Sequence, residues 1–294
     1  MPTPPWPLLQ TALRPPAEDH ARALLEAAAE LATRFGATLV AAEEGRLTLG
    51  AADEPSLDGA VGLLRDERRI RFDAGSPQVA YRETITRRAA IDHSHKRVAD
   101  GSGEFARVRL VFEPAPRGSG SRFRAEASDG AVPPEFLPGV AEGVERAMAA
   151  GLLAGFPVID VWTTLADGAF HDIDSSPAAF AAAAVGAVRR LRDEGEPVLL
   201  EPVMRLEATA PTSHAARVAA DVASRRARAL TSRDAGDEAV VTALVPLANL
   251  FGYANTLRGN TDGQGRYAVE YDHYAEVDAP GGDDREAAAA ALRA

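Results

Sequence analysis

The chain has 294 residues and 46% of them are hydrophobic, which is enough for two or three domains with packed cores. It contains no cysteine, which excludes disulfides, thiol nucleophiles and thiolate metal sites. Its formal net charge of −11 at pH 7 argues against general nucleic-acid binding, because neutralising phosphates needs a basic surface, but it is compatible with a local basic patch.

The N-terminal stretch MPTPPWPLLQ does not resemble a signal peptide. It has no basic leader, and proline interrupts its apolar run. No window along the chain approaches the roughly 20 apolar residues of a membrane span. We therefore expect a cytoplasmic protein with no membrane partner.

Residues 1–75 follow the order βαββαβ, which is typical of a ferredoxin-like domain. Alternating apolar residues predict the strands, and apolar residues at helical spacing predict the helices. The predicted elements are a strand at Leu8 to Leu13, a helix opened by Pro15 and Pro16 and ended by Gly36, strands at Leu39 to Val40 and Leu47 to Leu49, a helix capped by Ser56, and a strand at Ile70 to Phe72.

Residues 76–196 do not follow the βαββαβ order. Their pattern indicates two helices and a mixed sheet, which predict a compact α/β domain. Lys96 is the only lysine and lies in HSHKRV, so the Gly-Lys-Ser/Thr ending of a P-loop is absent. The predicted elements are strands at Arg107 to Phe112 and Ser121 to Ala127, a helix opened by Pro133 and Pro134 and closed by Gly151, a strand at Val158 to Leu165, and an alanine-rich helix capped by Ser175 or Ser176 that runs to about Arg192.

Residues 197–279 repeat the order βαββαβ and predict a second ferredoxin-like domain. Residues 280–294 are predicted to be a tail with a linker and a possible short helix. The predicted elements are a strand around Val203 to Leu206, a helix at Ser213 to Arg226, two strands on either side of a turn at Asp234 to Asp237, a helix at Pro246 to Leu257, and a strand at Arg266 to Tyr274.

Several collinear segments between residues 77 and 277 resemble bacterial elongation factor G, the translocation GTPase. They are PQVAYRETIT, GSGEFARV, VPPEFLPGVAEGVERAMAAGLLAGFPVIDV, DGAFHDIDSS, EPVMRLEATAP, SRR, VPLANLFGYANTLR and EYDHYAEV. The resemblance implies the C-terminal half of that family, domains III, IV and V, without the GTPase and β-barrel domains. It also implies an α+β fold whose middle domain is elongated and has a left-handed βαβ crossover, against the usual rule.

The resemblance further implies which residues contact RNA. Domain IV of the family mimics a tRNA, and its tip enters the decoding site. The tip residues implied here are His171, Asp172, Gly101, Ser102, Gly103, Glu104, His95, Lys96 and Arg97. In domain V, Arg225 and Arg226 match the family's SRR segment, which faces the large-subunit rRNA of the GTPase-associated centre.

Glu104 stands where the family usually has glutamine. An ionised carboxylate only accepts hydrogen bonds and repels phosphate, whereas an amide also donates. We therefore expect weakened but not abolished engagement of the decoding site, with the nearby basic residues His93, His95, Lys96 and Arg97 as compensation. On this hypothesis Glu104→Gln raises the affinity for the ribosome.

The resemblance predicts a translation factor that binds the 70S ribosome and modulates translocation, with no enzymatic activity, no metal and no cofactor unless a separate chain supplies GTP hydrolysis. Three alternatives stay open: half of a split translocase complemented by a GTPase chain, a hydrolase or metal enzyme that uses His171 and Asp172 (with Asp174 as a further metal ligand), and a paralogue with no selected activity. Simpler interpretations of the basic residues also stay open. HSHKR is equally typical of a solvated hairpin, and Arg225 and Arg226 are typical of residues that stabilise a helix dipole.

Overall fold

A computed structural model of the protein describes residues 7–41, 46–99, 102–127 and 130–277. The chain divides into two compact units. The first unit comprises Met1–Ala80 and Glu201–His273, and the second unit comprises Tyr81–Leu200 and Tyr274–Ala294. The predicted tail, residues 280–294, lies outside the described residues. Within the described residues, no helix is both long enough and apolar enough to cross a bilayer.

The N-terminal sheet belongs to the first unit and has the strand order β2-β3-β1-β4, with β5 also antiparallel to β1. Leu24, Leu31 and Leu57 of its helices are buried together with Leu9 and Leu49 of its strands. This is the predicted ferredoxin-like βαββαβ arrangement. Its elements are β1 (Leu9–Arg14), α1 (Glu18–Glu26), α2 (Ala28–Phe35), β2 (Thr38–Ala41), β3 (Leu47–Ala51), α3 (Glu54–Gly62), β4 (Asp73–Ala74) and β5 (Gln78–Val79).

Two details of these helices differ from the prediction. The single long helix is divided at Ala27 into α1 and α2. Asp53 rather than Ser56 caps α3, since its Oδ1 accepts a hydrogen bond from the Ser56 backbone N–H at 2.8 Å. Aspartate and serine are both strong N-cap residues, so local preference could not choose between two positions three residues apart.

The predicted strand at Ile70 to Phe72 is wrong. Both side chains are buried, but the strand that follows, β4, contains only Asp73–Ala74. The chain reaches it through a π-helical turn and through Arg69, whose φ of 53° is left-handed. Two apolar residues can therefore alternate in burial without their backbone joining a sheet.

The middle sheet belongs to the second unit and has the strand order β7-β8-β10-β9. β8 is antiparallel to β7 and β10, whereas β9 and β10 are parallel and joined through α4, as in a βαβ crossover. The predicted α+β class is thereby confirmed. The elements are β6 (Arg82–Ile85), β7 (Ala89–Ala99), β8 (Ser102–Pro114), β9 (Arg122–Ala125), α4 (Leu137–Ala149), β10 (Val161–Ala169) and α5 (Pro177–Glu194).

Helices α4 and α5 cover one face of the middle sheet. Val108, Leu110 and Phe112 alternate inward from β8 and share a buried core with Val140 of α4 and Phe180 of α5. Small residues on both helices let their backbones approach closely. The predicted cap of α5 is confirmed for Ser176, whose Oγ accepts a hydrogen bond from Ala179 N–H at 3.1 Å. The packing leaves the opposite face of the sheet open.

The C-terminal sheet has the order β12-β13-β11-β14, with β6 paired to residues 197–200 of β11. The predicted helices are shorter than expected, because a 3₁₀ turn precedes α6 and Gly252, with a φ of 71°, precedes α7. The strand order is again that of a ferredoxin-like βαββαβ domain. The elements are β11 (Pro197–Pro211), α6 (Ala215–Ser224), β12 (Arg228–Ala235), β13 (Glu238–Pro246), α7 (Tyr253–Asn260) and β14 (Arg266–Glu276).

Candidate functional site

One end of the middle sheet brings together the two loops that the sequence singled out. We call this end the tip: residues 95–105 of the β7–β8 hairpin and residues 170–175 after β10. Phe105 N–H donates to the Asp174 carbonyl at 2.8 Å, and the Ser175 hydroxyl donates to the Phe105 carbonyl at 2.6 Å. Both loops are therefore fixed to one another by hydrogen bonds.

Gly103 allows the two loops of the tip to approach closely. A Cβ added at this position would lie 2.8 Å from the carboxyl carbon of Asp174, which is too short for any real contact. A side chain at this position would therefore displace the Asp174 carboxylate that contacts His171. Gly101 and the side chain of Ser102 lie outside the described residues, and the backbone of Ser102 begins β8.

His171 is held in a defined orientation within its loop. Its backbone N–H donates to Ser175 Oγ at 2.9 Å, and its Nδ1 lies 3.2 Å from Asp174 Oδ2. Nδ1 is also 3.4 Å from two backbone N–H groups of the loop. The side chain is 55% exposed. Nδ1 is therefore engaged inside the loop, while Nε2 has no partner among the described residues.

Exposed basic and apolar side chains surround His171. Lys96 and Arg97 are exposed, and Lys96 Nζ lies 5.6 Å from the centre of the Phe105 ring. Ile173 and Val98 are 86% and 85% exposed. A shallow depression of about 300 Å³ is lined by Lys96, Arg97, Val98, Gly103, Glu104, Phe105, Phe170, His171 and Asp174.

Glu104 forms a hydrogen bond that the sequence did not reveal. His95 Nε2 donates to Glu104 Oε2 at 2.9 Å, and this bond lowers the pKa of the Glu104 carboxyl. Arg97, directly opposite Glu104 in the strand register, lowers that pKa further. Glu104 is therefore ionised, and part of its charge is offset locally. His93 does not take part, because it packs against Gly186 of α5, where burial lowers its pKa.

Of the two carboxylates in the hydrolase or metal alternative, only one contacts the histidine. Asp172 is exposed, and Asp174 is the residue that contacts His171. Among the residues that the structure describes, no group of three or more His, Asp or Glu side chains is placed to hold a metal ion. A single histidine–carboxylate pair is too few ligands for a protein metal site.

Arg225 and Arg226, the predicted rRNA contacts, are both engaged within the first unit. Arg225 bonds to both carboxylate oxygens of Asp221 and donates to the Asn249 carbonyl at 2.7 Å, and its side chain is 16% exposed. Arg226 Nη2 donates to Glu201 Oε1 at 2.8 Å. The Arg225–Asp221 pair can be predicted from the sequence, because the two residues are four apart on the predicted helix. No local pattern predicts that Arg226 pairs with Glu201. A contact with rRNA stays a prediction for both arginines.

Arg225 also lies 5.0 Å above the ring of Tyr253, whose hydroxyl is buried without a hydrogen-bond partner among the described residues. Burial raises the pKa of Tyr253 to about 12. Because the folded-state pKa exceeds the ordinary value of 10.0, the contribution to stability is complete below pH 10 and is lost as pH rises through 12.

Tyr253→Phe is therefore expected to keep or slightly raise stability at pH 8, by up to about 1 kcal/mol, because it removes an unsatisfied buried hydroxyl. Between pH 9 and 11.5 the parent chain should lose about 1–2 kcal/mol more than the variant. Urea unfolding of both chains at each pH measures this difference. Equal alkaline losses would show that Tyr253 ionises as readily in the folded chain as in the unfolded chain.

Comparison with known proteins covers most of the chain. The family model described as "Elongation factor G, domain IV" matches residues 77–195. The model described as "Elongation factor G C-terminus" matches residues 198–284. The chain is 46% identical over 235 residues to an elongation factor G of Hyphomonas neptunium (strain ATCC 15444), which aligns 80% of the chain. It is 39% identical over 277 residues to one of Rhodopseudomonas palustris (strain BisB18), which aligns 94%.

The chain spans 33% and 40% of the lengths of these two relatives. Among solved structures, it is similar to the crystal structure of ttk003000868 from Thermus thermophilus, with a TM-score of 0.70 and 35% sequence identity. That alignment covers 94% of the chain and 42% of the Thermus protein. The regions matched by the two family models include the tip and the two arginines that follow α6.

Proposed function

Because the chain belongs to the elongation factor G family, with domain IV followed by the family's C-terminal region, we propose that it binds the 70S ribosome and modulates translocation. In this proposal the tip contacts rRNA at the decoding centre. The C-terminal domain contacts the rRNA of the GTPase-associated centre. The site of action is the cytoplasm.

The architecture of the tip supports this proposal most directly. Two loops distant in sequence are joined into one surface on which His171 presents Nε2 beside Lys96 and Arg97. RNA is recognised through hydrogen bonds and stacking on exposed bases, together with basic groups on phosphates. An oriented imidazole flanked by cations provides both kinds of contact. His95 and Arg97 partly offset the negative charge of Glu104. Glu104 therefore weakens RNA binding by this surface less than an isolated carboxylate would.

We further propose that these residues perform no GTP hydrolysis and need no cofactor. The matched regions are domain IV and the C-terminus, and the only lysine is not in a P-loop sequence. If GTP drives this factor, a separate GTPase chain supplies the hydrolysis.

Sedimentation of the full chain with 70S ribosomes tests the proposal. His171→Ala is expected to weaken binding about fivefold, as for the loss of one hydrogen bond of about 1 kcal/mol. Glu104→Gln is expected to strengthen it about twofold, because an amide can also donate. Binding should weaken as the KCl concentration rises from about 50 to 200 mM.

His20→Ala is the matched control, since His20 lies on α1, outside the tip. It should bind ribosomes like the parent chain. Absence of sedimentation at low salt would refute ribosome binding, and equal affinities of the His171 and His20 variants would refute the role of the tip.

A further inference from the structure

The middle sheet has an open face, which we define as the side chains of β7, β8, β9 and β10 that point away from α4 and α5. We propose that this open face binds single-stranded RNA, with one base stacked on Trp162 and the phosphates held by Arg109, Arg122 and Arg124. The alternation of burial along the strands defines the face: Leu110 and Phe112 are fully buried, whereas Arg109 between the inward positions of β8 is exposed.

Trp162 is the aromatic platform of the open face. It is 36% exposed, although large apolar side chains are usually covered. It sits opposite Glu113 of β8 and opposite Arg122 of β9 in the register. The guanidinium of Arg122 lies 5.9 Å from the centre of the Trp162 ring system. An exposed indole with an arginine beside it is suited to a base stacked on the ring and a phosphate at its edge.

Three arginines of the open face remain available for phosphates. Arg109, Arg122 and Arg124 form no ion pair with any residue in the described part of the chain. Arg122 and Arg124 are two residues apart on β9, so their Cα atoms are about 7 Å apart along an edge strand. That separation suits neighbouring phosphates of an extended strand.

The acidic groups of the open face are already paired. Arg107 bonds to Asp92 and lies 3.3 Å from Asp167, and Arg88 bonds to Glu113 at 3.1 Å. The unpaired charge on the face is therefore positive, in a chain whose formal net charge is −11. Such a concentration of cations on one face is complementary to a polyanion, because phosphate contacts dominate nucleic-acid affinity.

The open face is continuous with the tip. Lys96 lies on it by the alternation of β7 and also lines the depression beside His171. A strand of RNA held at the tip can therefore run on across β8 and β10 to Trp162. A protein partner would be expected to need a larger apolar area than one indole, so RNA is the occupant that the charges favour.

The test uses the full chain with Trp6→Phe, which leaves Trp162 as the only tryptophan. Titration with an oligouridylate of about 12 nucleotides at about 50 mM KCl should quench the fluorescence of Trp162. Adding Arg122→Ala and Arg124→Ala should weaken binding about tenfold and reduce the slope of log affinity against log salt by about 1.4. Measured by anisotropy of labelled RNA, Trp162→Ala should weaken binding about tenfold and Trp162→Phe less than about threefold.

The double variant Arg146→Ala and Arg189→Ala is the matched control, because these residues lie on α4 and α5, on the other side of the sheet. It should bind RNA like the parent chain. No quenching, or equal losses from the two double variants, would overturn the inference. So would quenching by RNA-free ribosomal proteins but not by the oligonucleotide, since the face would then bind protein.

The inference is independent of ribosome binding, because the probe is a free oligonucleotide. A chain that binds the oligonucleotide through Trp162 but does not sediment with ribosomes would refute the proposed function and retain this inference. If the chain sediments with ribosomes but the oligonucleotide does not quench Trp162, this inference is refuted and the proposed function is retained.

Discussion

Replacing Glu83 with glutamine is expected to lower the free energy of unfolding by about 3 kcal/mol. Glu83 is completely buried, and its two carboxylate oxygens accept four backbone N–H groups. The donors are Leu152, Leu153 at 2.8 Å, Ala154 at 2.7 Å and Phe156 at 3.0 Å. One carboxylate thus satisfies four backbone N–H groups of the loop that leads into β10.

The physical reason is that glutamine keeps the size of Glu83 but replaces one acceptor with a donor. Its NH₂ group would face two backbone N–H groups, which would be left buried without acceptors. An unsatisfied buried polar group costs about 1–3 kcal/mol, and hydrogen bonds to charged groups contribute about 1.5–3 kcal/mol. Displacing the loop would also disturb the start of β10, whose preceding residue, Asp160, accepts N–H bonds from Gly118 and Gly120.

Urea unfolding in a Trp6→Phe background, followed by the fluorescence of Trp162, measures this loss within the second unit. Glu142→Gln is the matched control, since Glu142 is an exposed glutamate on α4 and its loss should change stability by less than about 0.5 kcal/mol. A loss below about 1 kcal/mol for Glu83→Gln would show that water or backbone movement readily satisfies the loop.

Replacing Gly143 with alanine is expected to destabilise the second unit by about 2–3 kcal/mol. A Cβ at this position would lie 2.4 Å from the Ala181 carbonyl oxygen and 2.9 Å from the Ala184 Cβ. Both atoms belong to α5, and neither is the end of a flexible side chain. The helices must therefore separate, and the core that they share with the sheet loses contacts.

The sign of this effect is the diagnostic result, because alanine normally stabilises a helix by about 1 kcal/mol relative to glycine. Gly259 of α7 provides the matched control: a Cβ there would meet nothing within 4 Å. Gly259→Ala should therefore raise the melting temperature slightly, whereas Gly143→Ala should lower it by several degrees. If both substitutions stabilise, α4 and α5 are not held at the separation that the structure shows.

Prediction of the fold succeeded where apolar residues recurred at the spacing of a strand or a helix. It failed where that spacing was absent or misleading. β8 was found because Val108, Leu110 and Phe112 alternate as apolar residues. β7 was indicated only by HSHKR as a possible hairpin and not as a full strand, because two of its inward positions are His93 and His95, which count as polar in a hydrophobic pattern. A strand whose inward side chains are histidines is visible only after its partner strand is placed.

The candidate site was likewise predicted in part from the sequence and in part only from the structure. Resemblance to elongation factor G pointed to His171 and Gly103, and the structure places their loops in contact. The RNA-contact roles of these residues stay predictions. The sequence offered both Asp172 and Asp174 beside His171, and the turn of the loop brings Asp174 to Nδ1. Neighbours in sequence are not neighbours in a tight loop, so the nearest carboxylate could not be read directly.

The sequence by itself determined most of the elements, the two βαββαβ domains and the membership of the elongation factor G family. These depend on periodicity, caps and motifs that act within a few residues. Only the tertiary structure decided that Glu104 bonds to His95, that Glu201 holds Arg226, and that Trp162 shares an open face with Arg122. Such contacts follow from strand register and chain reversals, which bring together residues that no local pattern connects.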